Sequence, residues 1–435
     1  MKRISCLLLV LAVCFCSGAF AQETHRQPFA RRAMYPHRTF GATQNPALTM
    51  SSPSSNTGGT AIKIVKTWDL GVFPGGTYVE LSDVNDFVFA VGTGDLPNGE
   101  THTLGVTLFG PHKGEWIDMG SLGGAITGGY DEPVLKVANT GLVATHSAIT
   151  DGHWHAAAWT QRTGMFDLGT LADIGYPEYN SSYAAAVNRS GTLIVGSSQI
   201  ELGNWTSAPG YPTVWTPSLE WKNGQLSVVW KIQKLDVTGM EDFPYWVAWD
   251  VNDYGQIIGI AQSVDWLITV PVLWNPLPHG RGWKLIPLPV LPDYPLQMNF
   301  GINNRGEIVG GCMQHIELWD WVPTLWKPLT RQRDVYGPPI LLKGPEGYAD
   351  GGWADGINDL GDISGVMWGS AGTQAMVWSS NDLGPSQILG FPGDGSLAWK
   401  LNNFRIVVGG FWGGSCVAGE CGGASQFRVP AHDHH

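Results

Sequence analysis

Two sets of side chains in this chain have the chemistry to hold a ligand. Tryptophans at 154, 205, 266, 319, 321, 368 and 412 fall in short segments between strand-like stretches. Tyrosines, of which Tyr130, Tyr176, Tyr245, Tyr294 and Tyr348 are the clearest, fall in a second class of connection, accompanied by acids at Glu80, Asp131, Glu132, Asp173, Glu178, Glu241, Asp242, Asp293, Glu346, Asp350 and Asp394. Aromatic faces flanked by carboxylates suit sugar rings, through stacking and hydroxyl hydrogen bonds, or cationic groups, through cation–π attraction. The structural alternative is that such rings plug the gaps between neighbouring loops.

Catalytic signals are weaker. Glycoside cleavage needs two carboxyl groups about 5 to 9.5 Å apart, and nothing in the sequence selects two of these acids. There is no Gly-x-Ser-x-Gly elbow, no His-Glu-x-x-His and no phosphate-cradling loop. His153 and His155 would share one face of a strand near His146, a weak metal pattern set against the ordinary solvent-facing reading. The stretch Asp250 to Gly255 partly mimics a calcium loop, but Tyr254 stands where a ligand oxygen is required, so it reads as a hairpin turn. The expectation is therefore a site without catalytic residues, metal or cofactor.

The elements that must position these residues appear when the chain is compared with itself. An apolar-Asn-x-x-Gly-x-Ile-x-Gly pattern returns seven times, with its Asn at 85, 139, 188, 252, 303, 358 and 402. The turn Gly is missing after Asn85 and Asn402 and comes one place early, at Gly141, after Asn139. The spacing of about 53 residues belongs to propeller blades. Asn-x-x-Gly is hairpin chemistry, the Asn side chain capping the turn and Gly supplying positive φ. Each copy is followed by a strand such as Pro271-Val272-Leu273-Trp274 and then a short strand often ending in Leu-Gly. Four antiparallel strands per copy make a blade, and the strand-end tryptophans Trp159, Trp215, Trp274, Trp326 and Trp378 read as core between blades. The last copy lacks its fourth strand, while Ile64 to Gly71 is a strand without a copy in front of it. The fold expected is all-β: a seven-bladed β-propeller of four-stranded antiparallel blades, with the N-terminal strand completing the last blade.

The pattern Ile-Asn-x-x-Gly-x-Ile-Val-Gly, followed by His155-Ala156-Ala157-Ala158-Trp159 and Asp167-Leu168-Gly169-Thr170-Leu171, resembles the bacterial extracellular HAF repeat family over roughly residues 64–430. Only the second copy keeps the His-Ala pair and none keeps the full His-Ala-Phe triplet. The resemblance implies secretion and a propeller-like fold, and it carries no general activity.

Composition and targeting agree with this organisation. The chain has 435 residues with 58 Gly, 28 Pro and 21 Trp, and only 14% are charged, against roughly 25% in an average soluble domain. That excludes coiled coils and charge-rich helical solenoids. Lys2, Arg3, the apolar run Leu7–Val13 and the small-residue site at Ala19-Phe20-Ala21 read as a signal peptide over 1–21. Residues 22–60, rich in Pro and Ser, read as a flexible leader, leaving 61–435 as a single propeller domain. The net charge is −12, with +5 on residues 1–60 and −17 on the rest. So acidic a folded part argues against nucleic acid and anionic lipid as partners, and no apolar run predicts membrane insertion. Cys416 and Cys421 could close a small Gly-rich loop, with Cys312 left over. The reading is a secreted monomer, extracellular or periplasmic, that binds an extracellular glycan or protein on its aromatic, acidic rim. The alternatives are a glycoside hydrolase or lyase using rim carboxylates, and a scaffold without a small ligand.

Overall fold

The computed structural model describes residues 62–128, 135–200, 209–222, 224–265 and 267–429. Residues 1–21 and 22–60, read from the sequence as signal peptide and leader, lie outside them. The described residues form 29 strands, two short 3-10 turns and no α-helix. No helix among them is long and apolar enough to cross a membrane.

The strands form five open sheets. Three have four strands each, and two of these, beginning with Ser181–Val187 and Gly351–Ile357, run antiparallel in chain order. A sheet of eight is two antiparallel sets, starting with Tyr245–Val251 and Leu296–Ile302, joined by one parallel pair, Thr269 with Leu296. A sheet of nine is likewise assembled from the strands between Val79 and Gly169, joined where Thr101 meets Ile126. The fifth sheet holds both ends of the described chain: Lys63–Gly71 pairs antiparallel with Cys416–Arg428, which continues to Ile406–Gly413 and Gly395–Leu401.

Asn139 meets Asp86, accepting from its N–H and donating to its carboxylate, and Asn188 Nδ2 donates to Thr192 Oγ1 within its own turn, but the repeat Asn of each of the other five copies does two jobs. Its Oδ1 accepts the backbone N–H four residues on, closing its own turn: Gln256, Glu307, Asp362 and Ile406 donate to Asn252, Asn303, Asn358 and Asn402 at 2.9–3.0 Å. Its Nδ2 donates outward, to a carbonyl of the next copy: Asn252 to Asn303, Asn303 to Asn358, Asn358 to Asn402, and Asn402 back to Asn85. Asn85 donates in turn to Ala138. Buried amides must find partners, and here each outward partner lies in the next copy. The turn keeps its positive φ where its Gly is missing, since Val88 and Arg405 both adopt φ 60°.

The second repeat glycine has a different cause. The first strand of most copies carries a register shift, between Ala248 and Asp250, Asn299 and Gly301, or Ala354 and Gly356 for example. This β-bulge presses a carbonyl of the first strand onto the second. A Cβ at Gly259, Gly310 or Gly365 would sit 2.1, 1.9 or 2.1 Å from the carbonyl oxygen of Val247, Met298 or Trp353. No side chain fits there.

Apolar side chains fill the spaces between successive sheets. Trp274 packs with Ala186, Val195, Val214 and Leu235 of the preceding copy, and its Nε1 donates to the Asp236 carbonyl. Trp326 and Trp378 repeat that bond to Pro289 and Lys343. Trp68, Ile406, Val408 and Ala424, from the sheet with both chain ends, pack on Val79, Leu81 and Leu104 of the first copy. Truncating a fully buried Trp of this kind costs roughly 3–5 kcal/mol, so these contacts dominate the stability of each joint.

Candidate ligand-binding site

Successive turns of an antiparallel set alternate between its two ends. The Asn turns therefore occupy one end, and the second-to-third and inter-copy connections occupy the other. Trp319, Trp321, Trp368 and Trp353 lie towards that second end, and they share one cluster with Trp249 and Phe300, which stand further along their first strands towards the Asn turns. Trp353 and Trp368 meet edge to face with centroids 4.9 Å apart. The Trp368 ring lies on Gly351, where a Cβ would come within 2.4 Å of ring atoms, and Trp412 lies on Gly395 at 2.3 Å in the same way. Backbone thus covers part of each ring, and both rings stay half-buried.

The other expected aromatics are distributed more widely. Trp321 is not a loop residue; it opens the strand Trp321–Trp326 and is 2% exposed, so it belongs to the core. Tyr348 is also buried, beneath Met367 and Ile363. Trp154 stacks on Tyr183 at 6.1 Å, and His146 packs edge-on to both. Tyr176 is exposed and faces the Lys234 ammonium at 5.3 Å. Tyr245 begins a first strand opposite Gln262, and Tyr294 packs half-buried beside Leu288 and Cys312. Tyr130, Trp205 and Trp266, with Asp131 and Glu132, lie outside the described residues.

Among the acids, Glu80 is buried and accepts from Trp399 Nε1 at 2.6 Å and Tyr78 Oη at 2.7 Å. Asp173 is committed to capping the 3-10 turn after Thr170. The acid that the sequence did not single out is Asp355, at the bulge two residues beyond Trp353. Burial pushes its carboxyl well above the usual range, against the pull of Lys400, while the nearby Glu80 raises it further. A hydrogen bond from the Trp353 side chain pulls it down as Lys400 does.

The Asn-turn end holds a polar cleft with about 530 Å³ of open space, including solvent at its mouth. One aliphatic residue from each of the seven repeat copies lines it: Val84, Val137, Val187, Val251, Ile302, Ile357 and Leu401. The preceding position carries a charge in four copies. Lys136 Nζ meets Asp250 Oδ1 at 2.5 Å, and Asp83 and Asp250 accept the N–H groups of Val137 and Ile302. Lys400 spans the end, donating to the carbonyls of Phe300 and Asp355. Gly301 and Gly356, at the corresponding positions, leave room for it, a Cβ there coming 3.4 Å from Lys400 Nζ and 2.9 Å from its Cα. Burial drives the Lys400 ammonium down to about 8 and the Asp83 carboxyl up. These charges are satisfied by one another and by backbone, so the belt ties first strands together.

The histidines have structural partners too. His155 Nδ1 lies 2.8 Å from Asp167 Oδ2, and His102 lies 2.6 Å from Asp118 at the same position of the preceding copy. Hydrogen bonding to Asp167 raises the His155 imidazole, outweighing its burial. Among the described residues no three His, Cys, Asp or Glu side chains are grouped to hold a metal. Cys416 and Cys421 form a disulfide. Cys312 is a buried thiol pushed up to about 12 by that burial.

No protein-family model and no curated protein matches the chain. Similar solved structures include an acylaminoacyl peptidase of Pyrococcus horikoshii, 10% identical with TM-score 0.44, the match covering 79% of this chain and 50% of that one. A puromycin-hydrolyzing peptidase of Mycobacterium tuberculosis is 11% identical with TM-score 0.48, covering 81% and 52%. The Aleuria aurantia lectin, solved with α-methyl-L-fucoside, is 12% identical with TM-score 0.32, covering 73% and 95%. The chain spans about half the length of the two peptidases.

Proposed function

We propose that this chain is a secreted, closed seven-bladed β-propeller of the HAF repeat kind that binds a carbohydrate at the aromatic end of its central channel. Residues 61–435 form its single domain, following a signal peptide and leader, and it acts as a monomer outside the cytoplasm or in the periplasm. The closed, seven-fold reading is supported by the Asn relay that returns from Asn402 to Asn85 and by the seven aliphatic residues around one cleft. Pairing of Lys63–Gly71 with Cys416–Arg428 supports a last blade completed by the N-terminal strand.

The binding reading rests on one observation: the half-buried rings of Trp319, Trp353 and Trp368 gather in one cluster towards the end opposite the Asn turns. Aromatic edges and faces held rigidly at a concave mouth suit sugar rings. A glycan and cell-wall-fragment array, read by binding and by Trp fluorescence, tests it. Wild type should bind with quenching, and Trp368→Ala and Trp353→Ala should each weaken binding about tenfold or more. Silence across the array, or variants indistinguishable from wild type, would show the reading to be wrong.

A glycoside-cleaving enzyme is the second reading, favoured by Asp355. A carboxyl whose proton affinity burial raises, with Glu80 near enough to raise it further, has the character of a general acid with a second carboxylate nearby. Release of reducing ends that disappears in Asp355→Asn would favour it; binding without turnover would reject it.

A further inference from the structure

A second aromatic pair stands towards the end opposite the Asn turns. Trp154 opens the third strand of the second copy, and Tyr183 lies near the start of the next first strand, Ser181–Val187. Tyr183 corresponds to Trp353: each stands just before its bulge, and its carbonyl oxygen faces the second repeat glycine, 1.8 Å from a Cβ at Gly196 and 2.1 Å from one at Gly365. Trp154 corresponds likewise to Trp321, which opens the third strand of the fifth copy. Yet Trp321 sinks to 2% exposure while Trp154 stays half-buried. The cause is the residue beneath. In the fifth copy it is Gly311, opposite Pro323, where a Cβ would come within 2.9 Å of the Trp321 ring. In the second copy the same position, opposite Ala156, holds His146. His146 is buried and packs edge-on to Trp154 at 5.4 Å and to Tyr183 at 5.2 Å. With that space filled, the two rings stay half-buried and lie within 26° of parallel. Ala185, two residues beyond Tyr183, belongs to the cluster of Trp249, Phe300 and Trp353, so the pair adjoins that cluster through its own strand.

We infer that Trp154 and Tyr183 form a second subsite, and that the ligand is an extended, uncharged oligosaccharide long enough to lie on both platforms. The inference rests on the carbohydrate reading above. Copies three and six stand across a seven-fold ring from each other, so one sugar ring does not stack on Tyr183 and on Trp353 together. A chain of sugars crossing the mouth does, and its second contact is then intramolecular. Charge narrows the class. The inter-copy connections at this end expose Glu178, Glu241, Asp293, Glu346, Asp350 and Asp394, and among the described residues Lys343 is the one base in them. A uronate or sulfated sugar would meet like charge there, whereas a neutral sugar asks only for ring faces and hydroxyl partners.

The test is calorimetric titration of the full chain with cellobiose against cellohexaose and chitobiose against chitohexaose, with hexagalacturonate as the anionic probe. In at least one neutral series wild type should bind the hexamer about tenfold tighter than the dimer or more, and the uronate should not bind. Tyr183→Ala should bring that hexamer down towards the affinity of the dimer while the protein still melts cooperatively, and Tyr183→Phe, which keeps the ring, should restore it. Hexamers no tighter than their dimers, uronate bound as well as the neutral chains, or wild-type hexamer affinity in Tyr183→Ala overturns the inference. The length dependence of the wild type decides the matter by itself if the alanine variant does not fold. Absence of binding in both neutral series overturns it as well: a hit elsewhere on the glycan array would then leave the carbohydrate reading standing, and a silent array would remove both.

Discussion

Asn402 Nδ2 donates to the carbonyl oxygen of Asn85 at 2.9 Å, joining residues 317 positions apart in the chain. Asn403 repeats the link one position on, its N–H donating to Asp86 Oδ1 at 3.0 Å. The same pair of bonds runs from Asn303 to Asn358 and from Asn304 to Asp359. Bonds of one kind thus tie the last copy to the first and consecutive copies to each other.

Replacing Asn402 should therefore weaken the joint between the last and first copies. Asn402→Ala removes the bond to Asn85 and two acceptor contacts with Phe404 and Ile406. Each net bond is worth about 1 kcal/mol and buried groups left unpaired cost more, so a loss of about 3 kcal/mol is expected in urea unfolding. Asn402→Asp keeps the acceptor and loses only the donor to Asn85; its loss near neutral pH should also be clear, because a carboxylate would face a carbonyl.

A stabilising change is expected at Val88. A β-branched residue at φ 60° is strained, and glycine occupies the same turn position in the copies at Gly255, Gly306 and Gly361. Val88→Gly should raise stability by about 0.5–1 kcal/mol after its partial packing is lost. A lower melting temperature than wild type would contradict the strain argument.

Gly310→Ala should be among the most damaging single-methyl changes. Its Cβ would lie 1.9 Å from the Met298 carbonyl, and only a shift of the bulged strand relieves that. Several kcal/mol is expected, of order 3, whereas Gly99→Ala, with open space around it, should cost about 1 for its positive φ. Denaturation midpoints of the two variants give the comparison.

The His155–Asp167 pair sets a pH window. Burial acts to raise Asp167, but its hydrogen bonds to His155 and Gly169 hold it below 3.8, so its contribution is present above that value and fades as pH falls through the lowered one. His155 is raised above 6.5, so its share is complete below 6.5 and is lost as pH rises through the raised value. Stability from the pair is therefore fullest between 3.8 and 6.5. Asp167→Asn should bring the His155 titration down in NMR, lower stability within that interval and flatten the falls on either side of it.

Removing the disulfide with Cys416→Ser/Cys421→Ser opens a loop with sequence separation 5. Loop-closure entropy for so short a loop is about 2 kcal/mol, and comparing the midpoint with that of the wild-type protein measures it. A larger loss would mean that the strand Cys416–Arg428 loses its pairing as well.

The sequence pattern revealed the turns because Asn and Gly recur at fixed spacing. It hid the partner of Nδ2, since no local pattern tells which distant carbonyl a side-chain amide will meet. The glycine after Ile-Val was visible as a repeat, yet its cause, a carbonyl pushed across by the bulge, depends on the neighbouring strand's register. Trp321 was placed in a loop because Trp319 and Trp321 look alike one residue apart; Asp320 keeps Trp319 in the turn through His315, and the strand begins at Trp321. Lys136 and Asp250 lie 114 residues apart in sequence, and charges so separated give no sign of their pairing until the strands are arranged. The hairpin beyond Trp215, where Gly210–Lys222 pairs with Gln225–Lys234, was legible in principle, because Leu219, Trp221, Leu226 and Val228 alternate with polar residues.

The pairing of Lys63–Gly71 with Cys416–Arg428 also fixes how the molecule answers a pull. Lys63 lies opposite Arg428, so tension applied where the chain enters and leaves this sheet meets both strands at the same end. The bonds then open one after another, as in peeling tape, and are not loaded together in shear. A protein held together by buried tryptophans and asparagine links would yield to low force at the ends of this sheet, and a tether that loads strands along their length would make it mechanically stiff.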